Sequence, residues 1–433
     1  NRVHSTQSMT SGAEAGNSGD TGLKRQDAGN FLWNAVGGVL NAGQSVFLLI
    51  VITRVCGLEA AGIFSIAFAT GNLFLYLGNY GVRNYQVSDL SEKYSFHDYL
   101  RHRLCTVLLM LAAAAVYTAW SAKTGNYSHY KTACVLAMCA CKAVDCLEEV
   151  FEGRYQQKGR LDRSGKLVTF RLLVSIGGMI AVLLVTRDLL TAVWWGVFLA
   201  AAASALIIWR YRETAAFERT AFSFSGIVGL MRECFPVCAA NFFSFYLINE
   251  PKYAIDAAMD ETAQACYNFI AMPVFVIQLL NMFLYQPMLI RMTASWENGR
   301  RKEFLGYFGR ICGALALISA PILLAAWILG IPVLSWLYAT DLSALRTELL
   351  LIMTGGIFLA FNGFYCAVLT IMRKQKEIPL TYLAGAVLSL AATPVMVREN
   401  GIIGAVLSFV LVMAAGTVLL TARFAFALRN KDA

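Results

Sequence analysis

Runs of roughly 20 residues without charge recur along this chain, each long enough to cross a hydrocarbon core of about 30 Å. A water-soluble fold has no use for so many. A bundle of spanning helices does, because lipid offers the backbone no hydrogen-bond partner and every segment must close its own ladder. Composition agrees: 58% of the 433 residues are hydrophobic and 15% are charged, against about 25% charged in a soluble domain. The expected fold class is all-α integral membrane, with about twelve transmembrane helices in two six-helix lobes around a central cavity.

The apolar runs place helices near 30–52, 60–82, 104–120, 132–151, 167–186 and 190–209, then near 229–250, 263–290, 306–329, 347–371, 378–397 and 401–424. Residues 1–29 are rich in Ser, Gly and Thr and read as a disordered cytoplasmic tail with no signal-peptide pattern. A first lobe then covers 30–209, a basic linker 210–228, and a second lobe 229–433. The stretch Ile331–Leu345 reads as an interfacial or re-entrant piece on the outer side.

The net charge of +9 does not point to nucleic acid, because the cations sit in short connections between apolar runs. Alternate connections hold Arg83, Lys93, Arg101 and Arg103, then Arg154 to Lys166, then Arg210, Arg212 and Arg219, and so on to Arg373, Lys374 and Lys376. Counted with both termini, about 24 cations fall on one side and about 7 on the other, which by the positive-inside rule puts both termini in the cytoplasm. Most of the eleven cysteines lie in apolar runs and the four histidines in connections or the tail, with no zinc spacing. No metal and no cofactor are expected.

Polar stripes mark candidate site residues. The first run carries Asn34, Asn41, Gln44 and Ser45 within one arc of helix, and the second carries Asn72, Tyr76 and Asn79, ending at Arg83. Asn241 on the seventh run and Gln278 and Asn281 on the eighth are the second lobe's counterparts. Such stripes do not face lipid. They serve either hydrogen bonding between packed helices or a hydrated cavity whose neutral amides and phenols suit sugars. The fourth run carries Lys142, Asp145, Glu149 and Glu152 on one face. Lys142, Asp145 and Glu149 are candidates for ion coupling, or Lys142 for a substrate phosphate; the other reading is a neutral Lys142–Asp145 pair that fixes packing. Arg83 is the first candidate for pyrophosphate, since a guanidinium holds phosphate oxygens through two bonds and stays charged when desolvated. Arg171, Arg232 and Arg310, one turn inside their helices, either snorkel to headgroups or form a basic mouth, and Arg54 and Lys252 hold similar positions at the outer ends of the first and seventh helices.

The stretch Ile52–Ala67, with Arg54, Gly57, Glu59, Gly62 and Phe64, resembles the first inter-helix connection of the polysaccharide transporter family, with Cys56 where that family usually has Leu. Asn249–Asp256, continuing through Ala265–Ile270, is similar to the matching connection of the second lobe, and Gln286–Pro287 before a basic loop to the end of the eighth helix. The resemblance implies a flippase of the multidrug/oligosaccharidyl-lipid/polysaccharide exporter superfamily in a bacterial inner membrane. Such proteins move undecaprenyl-pyrophosphate-linked repeat units for O-antigen, capsule or exopolysaccharide. Implied partners are the lipid-linked oligosaccharide and membrane lipid, with a polysaccharide polymerase and a chain-length regulator as further candidates.

A drug or toxin exporter of the same superfamily is the first alternative; it calls for acidic and aromatic cavity residues, where these stripes offer amides. A membrane enzyme of polysaccharide assembly is the second. Against it, the chain shows no large outer loop, intramembrane His, nucleophile elbow or Walker loop, so no enzymatic activity is expected. The charge asymmetry makes a topological prediction. Cysteines placed at Lys93, Arg160 and Arg301 should resist an impermeant thiol reagent in intact cells and react once the membrane is opened; labelling at position 160 in intact cells would refute it.

Overall fold

The structure, a computed structural model, describes residues 10–89, 93–215 and 224–429, apart from the side chains of 10–28, 30, 31, 214, 215, 278–284 and 375. Its elements are α1 Thr10–Cys56, α2 Leu58–Asn79, α3 Val82–Ser88, α4 Phe96–Lys123, α5 His129–Gln157, α6 Leu161–Thr186, α7 Leu189–Arg210 and the short α8 Arg212–Ala215. There follow α9 Phe224–Ala258, α10 Glu261–Glu297, α11 Arg301–Ala325, α12 Ile331–Tyr338, α13 Arg346–Ile371 and α14 Ile378–Arg429.

Short polar signals start these helices. Ser95 and Asp98 form a capping box on α4, and the side chains of Ser128, Asp188 and Asp260 accept from the backbone N–H groups of Lys131, Thr191 and Ala263. α14 is two passes in one, because Gly401 takes φ +64°, ψ −136° and turns the chain. Nine helices among the described residues are long and apolar enough to cross a membrane. With α14 counted as two passes, and with α5 and α10 at 29 and 37 residues, the passes number twelve. An even number brings both chain ends to one face of the bundle, called here the termini end.

Three expectations need correction. Backbone helix extends back to Thr10, although 10–29 read as disordered. No proline interrupts that stretch, and elongating a formed helix adds one hydrogen bond per residue fixed; residues 1–9 lie outside the described ones. α9 begins at Phe224 and runs through Pro236 and Pro251 to Ala258, two turns past its expected end. Ile331–Leu345 is not a separate re-entrant piece: α12 continues α11 through a π-helical turn at Ala326–Gly330, and a single 3-10 turn follows.

In the first lobe α1 packs on α6, α6 on α7, and α5 on α2, α4 and α7. In the second, α14 packs on α9 and α13, and α10 on α13. The second lobe has its own aromatic core at the termini end, where the Phe308 ring stacks 4.4 Å from Phe424 and 5.5 Å from Phe364. The lobes meet where α2 lies against α9 and α10. At that seam a Cβ on Gly62 would come 1.9 Å from the carbonyl oxygen of Glu261. Gly62→Ala is therefore expected to push α2 off α10 and to destabilise the protein by about 1–3 kcal/mol. A lowered Tm of the purified protein in detergent is the readout, and an unchanged Tm would show that the seam is not this tight.

Candidate functional site

Two connected hollows lie between the helices. The larger, about 510 Å³, is lined from both lobes: Asn41, Gln44 and Ser45 of α1, Ser65, Asn72 and Tyr76 of α2, Lys142 and Asp145 of α5, Asn249 and Lys252 of α9, and Tyr267 and Asn268 of α10. The smaller, about 270 Å³, lies toward the termini end among α1, α2, α5 and α6 and is lined by Asn34, Asn41, Asn79, Arg83, Glu149 and Glu152, among others. They meet at Gly38, Asn41, Leu75 and Asp145.

The amides are only partly engaged. Asn72 and Asn249 each donate one amide hydrogen to the carbonyl one turn back, Phe68 and Phe245. Each keeps a second hydrogen and its carbonyl oxygen for a ligand. Asn34 donates to Leu161 O, Gln44 to Asn41, and Asn79 accepts from Arg103. Asn268 is 3% exposed, and its Oδ1 has no partner among the described residues. The Tyr76 ring lies 5.0 Å from Phe245 across the seam. Asn241 is half-buried on α9 and lines neither hollow. The side chains of Gln278 and Asn281 lie outside the described residues.

The ionisable groups of α5 form a network in which four cations meet four carboxylates. Lys142, at the midpoint of α5 and 2% exposed, reaches Asp145 at 3.0 Å and the Phe68 ring face at 4.8 Å. Arg171 joins Asp145 at 2.5 Å and Glu148 at 2.9 Å, and Glu148 also accepts from Ser204. Arg103 pairs with Glu149 at 2.7 Å, and Arg83 with Glu152 at 2.8 Å and Gln156 at 3.3 Å. Arg171 thus faces inward rather than snorkelling to headgroups, while Arg232 and Arg310 are exposed.

The sequence missed what faces this network and what lies beyond it. Lys252, read as a cation at a helix end, lines the larger cavity because α9 runs on past it. Its ammonium has no carboxylate or hydrogen-bond partner among the described residues. One turn further on, Asp256 is paired across the lobes with Lys131 of α5 at 2.7 Å, and Lys131 also reaches Glu261 at 3.1 Å. The Tyr127 hydroxyl donates to Asp256 at 2.8 Å; burial, then the nearby Asp256 charge, hold that phenol far above its usual pKa. Opposite charges facing each other across helices were the available signal, but spacing alone does not say which helices face. Among the described residues no group of three or more His, Cys, Asp or Glu side chains is placed to hold a metal ion.

A two-lobed helical bundle with a polar cavity at its seam is an architecture suited to carrying a polar solute across a membrane. The family model described as "Polysaccharide biosynthesis protein" matches residues 28–292, more than half of the chain, and the protein belongs to that family. No curated protein matches. Among solved structures, a multidrug resistance MATE family transporter of the MOP superfamily, inward-facing, is similar with TM-score 0.69 at 11% identity, over 90% of this chain and 96% of that one. The lipid II flippase MurJ, inward closed, follows with 0.67 at 11%, over 90% and 87%. A point mutant of the Vibrio cholerae MATE transporter VcmN gives 0.63 at 12%, over 95% and 98%. The fold is that of this superfamily.

Removing one partner of a buried ion pair leaves a charge without compensation and costs about 3–5 kcal/mol. Arg171→Met leaves the buried Glu148 without its cation, while Asp145 keeps Lys142, and should sharply reduce the folded protein recovered from membranes. Adding Glu148→Gln should restore most of it. Wild-type yield from Arg171→Met alone would show that the network does not hold the helices together.

Proposed function

We propose that this protein is a flippase that moves undecaprenyl-pyrophosphate-linked oligosaccharide repeat units from the cytoplasmic to the outer leaflet by alternating access of its two lobes. One observation carries the reading: the cavity at the seam offers partly free amides from both lobes, Asn41, Asn72, Asn249 and Asn268, while its acid, Asp145, is already held by two cations. Neutral donors and acceptors in number suit sugar hydroxyls. A drug-cation exporter needs an available carboxylate, which Asp145 is not.

In this reading Arg83 stands at the cytoplasmic mouth and meets the pyrophosphate first. It is half-exposed and paired with Glu152, so a phosphate engages it by displacing a carboxylate. Asn34 and Asn79 beside it, then Asn41, lead from the smaller hollow to the larger. The lipid chain stays in the bilayer. Lys142, Asp145 and Glu149 are the groups through which a proton or cation gradient acts, since uptake by either acid loosens its pairing with Lys142, Arg171 or Arg103.

Purified protein in proteoliposomes should translocate a lipid-linked oligosaccharide, measured with and without imposed pH or sodium gradients. Movement no greater than in empty liposomes under every gradient would refute the reading. For Arg83, complementation of surface polysaccharide in a strain lacking the flippase is the test. Arg83→Ala should impair it strongly at unchanged membrane level, and Arg83→Lys should recover only part, because an ammonium lacks the guanidinium fork. Full complementation by Arg83→Ala would remove Arg83 from the substrate path.

A further inference from the structure

We propose that Lys252 is the deep anion anchor of the cavity, and that it is kept available for a pyrophosphate because Lys131 holds Asp256 away from it. The proposal rests on the flippase reading for its ligand, but its geometry stands independently.

Every other described cation that lines the two hollows already has a carboxylate: Lys142 has Asp145, Arg83 has Glu152, and Arg171 has Asp145 and Glu148. Lys252 lines the larger cavity with none. An ammonium withdrawn from water without a counter-charge is unfavourable, and an incoming phosphate relieves that. Asn268, 3% exposed with an unpartnered oxygen, lines the same cavity from α10. Its amide hydrogens suit a phosphate oxygen and its Oδ1 a sugar hydroxyl.

The natural partner of Lys252 is close by. Asp256 follows four residues later on α9, where side chains share a face and ion pairs form. Yet its carboxylate is taken from the other lobe, by Lys131 at 2.7 Å and by the Tyr127 hydroxyl at 2.8 Å. All three of these groups are buried. Lys131, Tyr127 and Asp256 lie at the end of the bundle opposite the termini, so separation of the lobes there breaks the cross-lobe pair. Asp256 then becomes free to pair with Lys252 and to compete with a bound anion. Closure of that end favours anion binding at Lys252, and its opening favours release toward the outer side. In both states Lys252 has an anionic partner, the bound anion or Asp256, while Lys131 parts from both Asp256 and Glu261 at the end of the bundle that opens.

Binding of inorganic pyrophosphate to the full-length protein in nanodiscs, measured by calorimetry, tests this. Losing a charged hydrogen-bond donor should weaken binding about tenfold or more in Lys252→Met, with Lys252→Arg within about threefold of wild type. Lys302→Gln, an exposed cation at the other end of the bundle, should change nothing. Lys131→Met should also weaken binding, by freeing Asp256, and Lys131→Met with Asp256→Asn should restore it, which also shows that the variant folds. No pyrophosphate binding by wild type, wild-type affinity in Lys252→Met, or no recovery in the double variant would each overturn the proposal. The two readings fail separately. Lys252-dependent binding without movement of lipid-linked oligosaccharide in proteoliposomes sinks the flippase and leaves the anion site standing. Movement of that lipid together with wild-type pyrophosphate affinity in Lys252→Met does the reverse.

Discussion

The charge balance around α5 is the constraint on which the first lobe depends. A bilayer makes an unpaired charge far costlier than water does, yet this helix carries Lys142, Asp145, Glu148, Glu149 and Glu152 within about three turns. They are tolerated because three other helical segments each supply an arginine: Arg83 from α3, Arg103 from α4 and Arg171 from α6. The pairs therefore fix which helices surround α5 and in what rotation, a specificity that apolar surfaces alone do not provide in lipid, where helix and solvent are equally greasy. The same pairs set the chemistry of the cavity wall. Lys142 and Asp145 face the cavity already neutralised, so the surface they offer is polar without being strongly charged.

Architecture was legible because its signals are local. Apolar runs of spanning length, loop cations on alternate connections and short caps each arise within one segment, and together they pointed to twelve passes and two lobes. The stripes on α1 and α2 were legible for the same reason: a 100° step per residue says which residues share a face. Asn41, Asn72 and Tyr76 do lie together on the larger cavity, while Asn34, Asn79 and Arg83 line its side branch.

What stayed hidden depends on which face meets which. Arg171 and Asp145 are 26 residues apart, and nothing in their spacing orients one helix toward the other. Lys252 was misread for a different reason. Pro251 and the polar Asn249–Glu250 pair look like the end of a helix, but in a bundle neighbouring helices support a proline-interrupted segment, and α9 continues to Ala258. Two extra turns carried Lys252 from an end position to the cavity wall and brought Asp256 to the seam. Asn241, read as a second-lobe counterpart of the stripes on α1 and α2, lines neither hollow, and helix α9 contains Pro236 between its start and Asn241.

The two ends of the seam are built differently, and that difference bears on the proposed cycle. At the termini end the lobes meet through an apolar cluster, with Tyr80, Tyr99 and Val150 against Leu230 and Cys234, plus an exposed Lys93–Glu233 pair. An exposed pair of that kind contributes little and separates into water easily. At the far end the contacts are the close backbone approach of α2 and α10 at Gly62, the buried Lys131–Asp256 pair and the Arg54 guanidinium on the carbonyls of Trp336 and Leu337. Breaking a buried pair exposes each ion only if water or a new partner reaches it. Glu261 leaves with Asp256, since both belong to the second lobe, so Lys131 is left to water at the opened end while Asp256 has Lys252 one turn away. The far end can therefore open with Asp256 exchanging one buried partner for another. Without that exchange, a seam built on buried ions would resist the opening that alternating access requires.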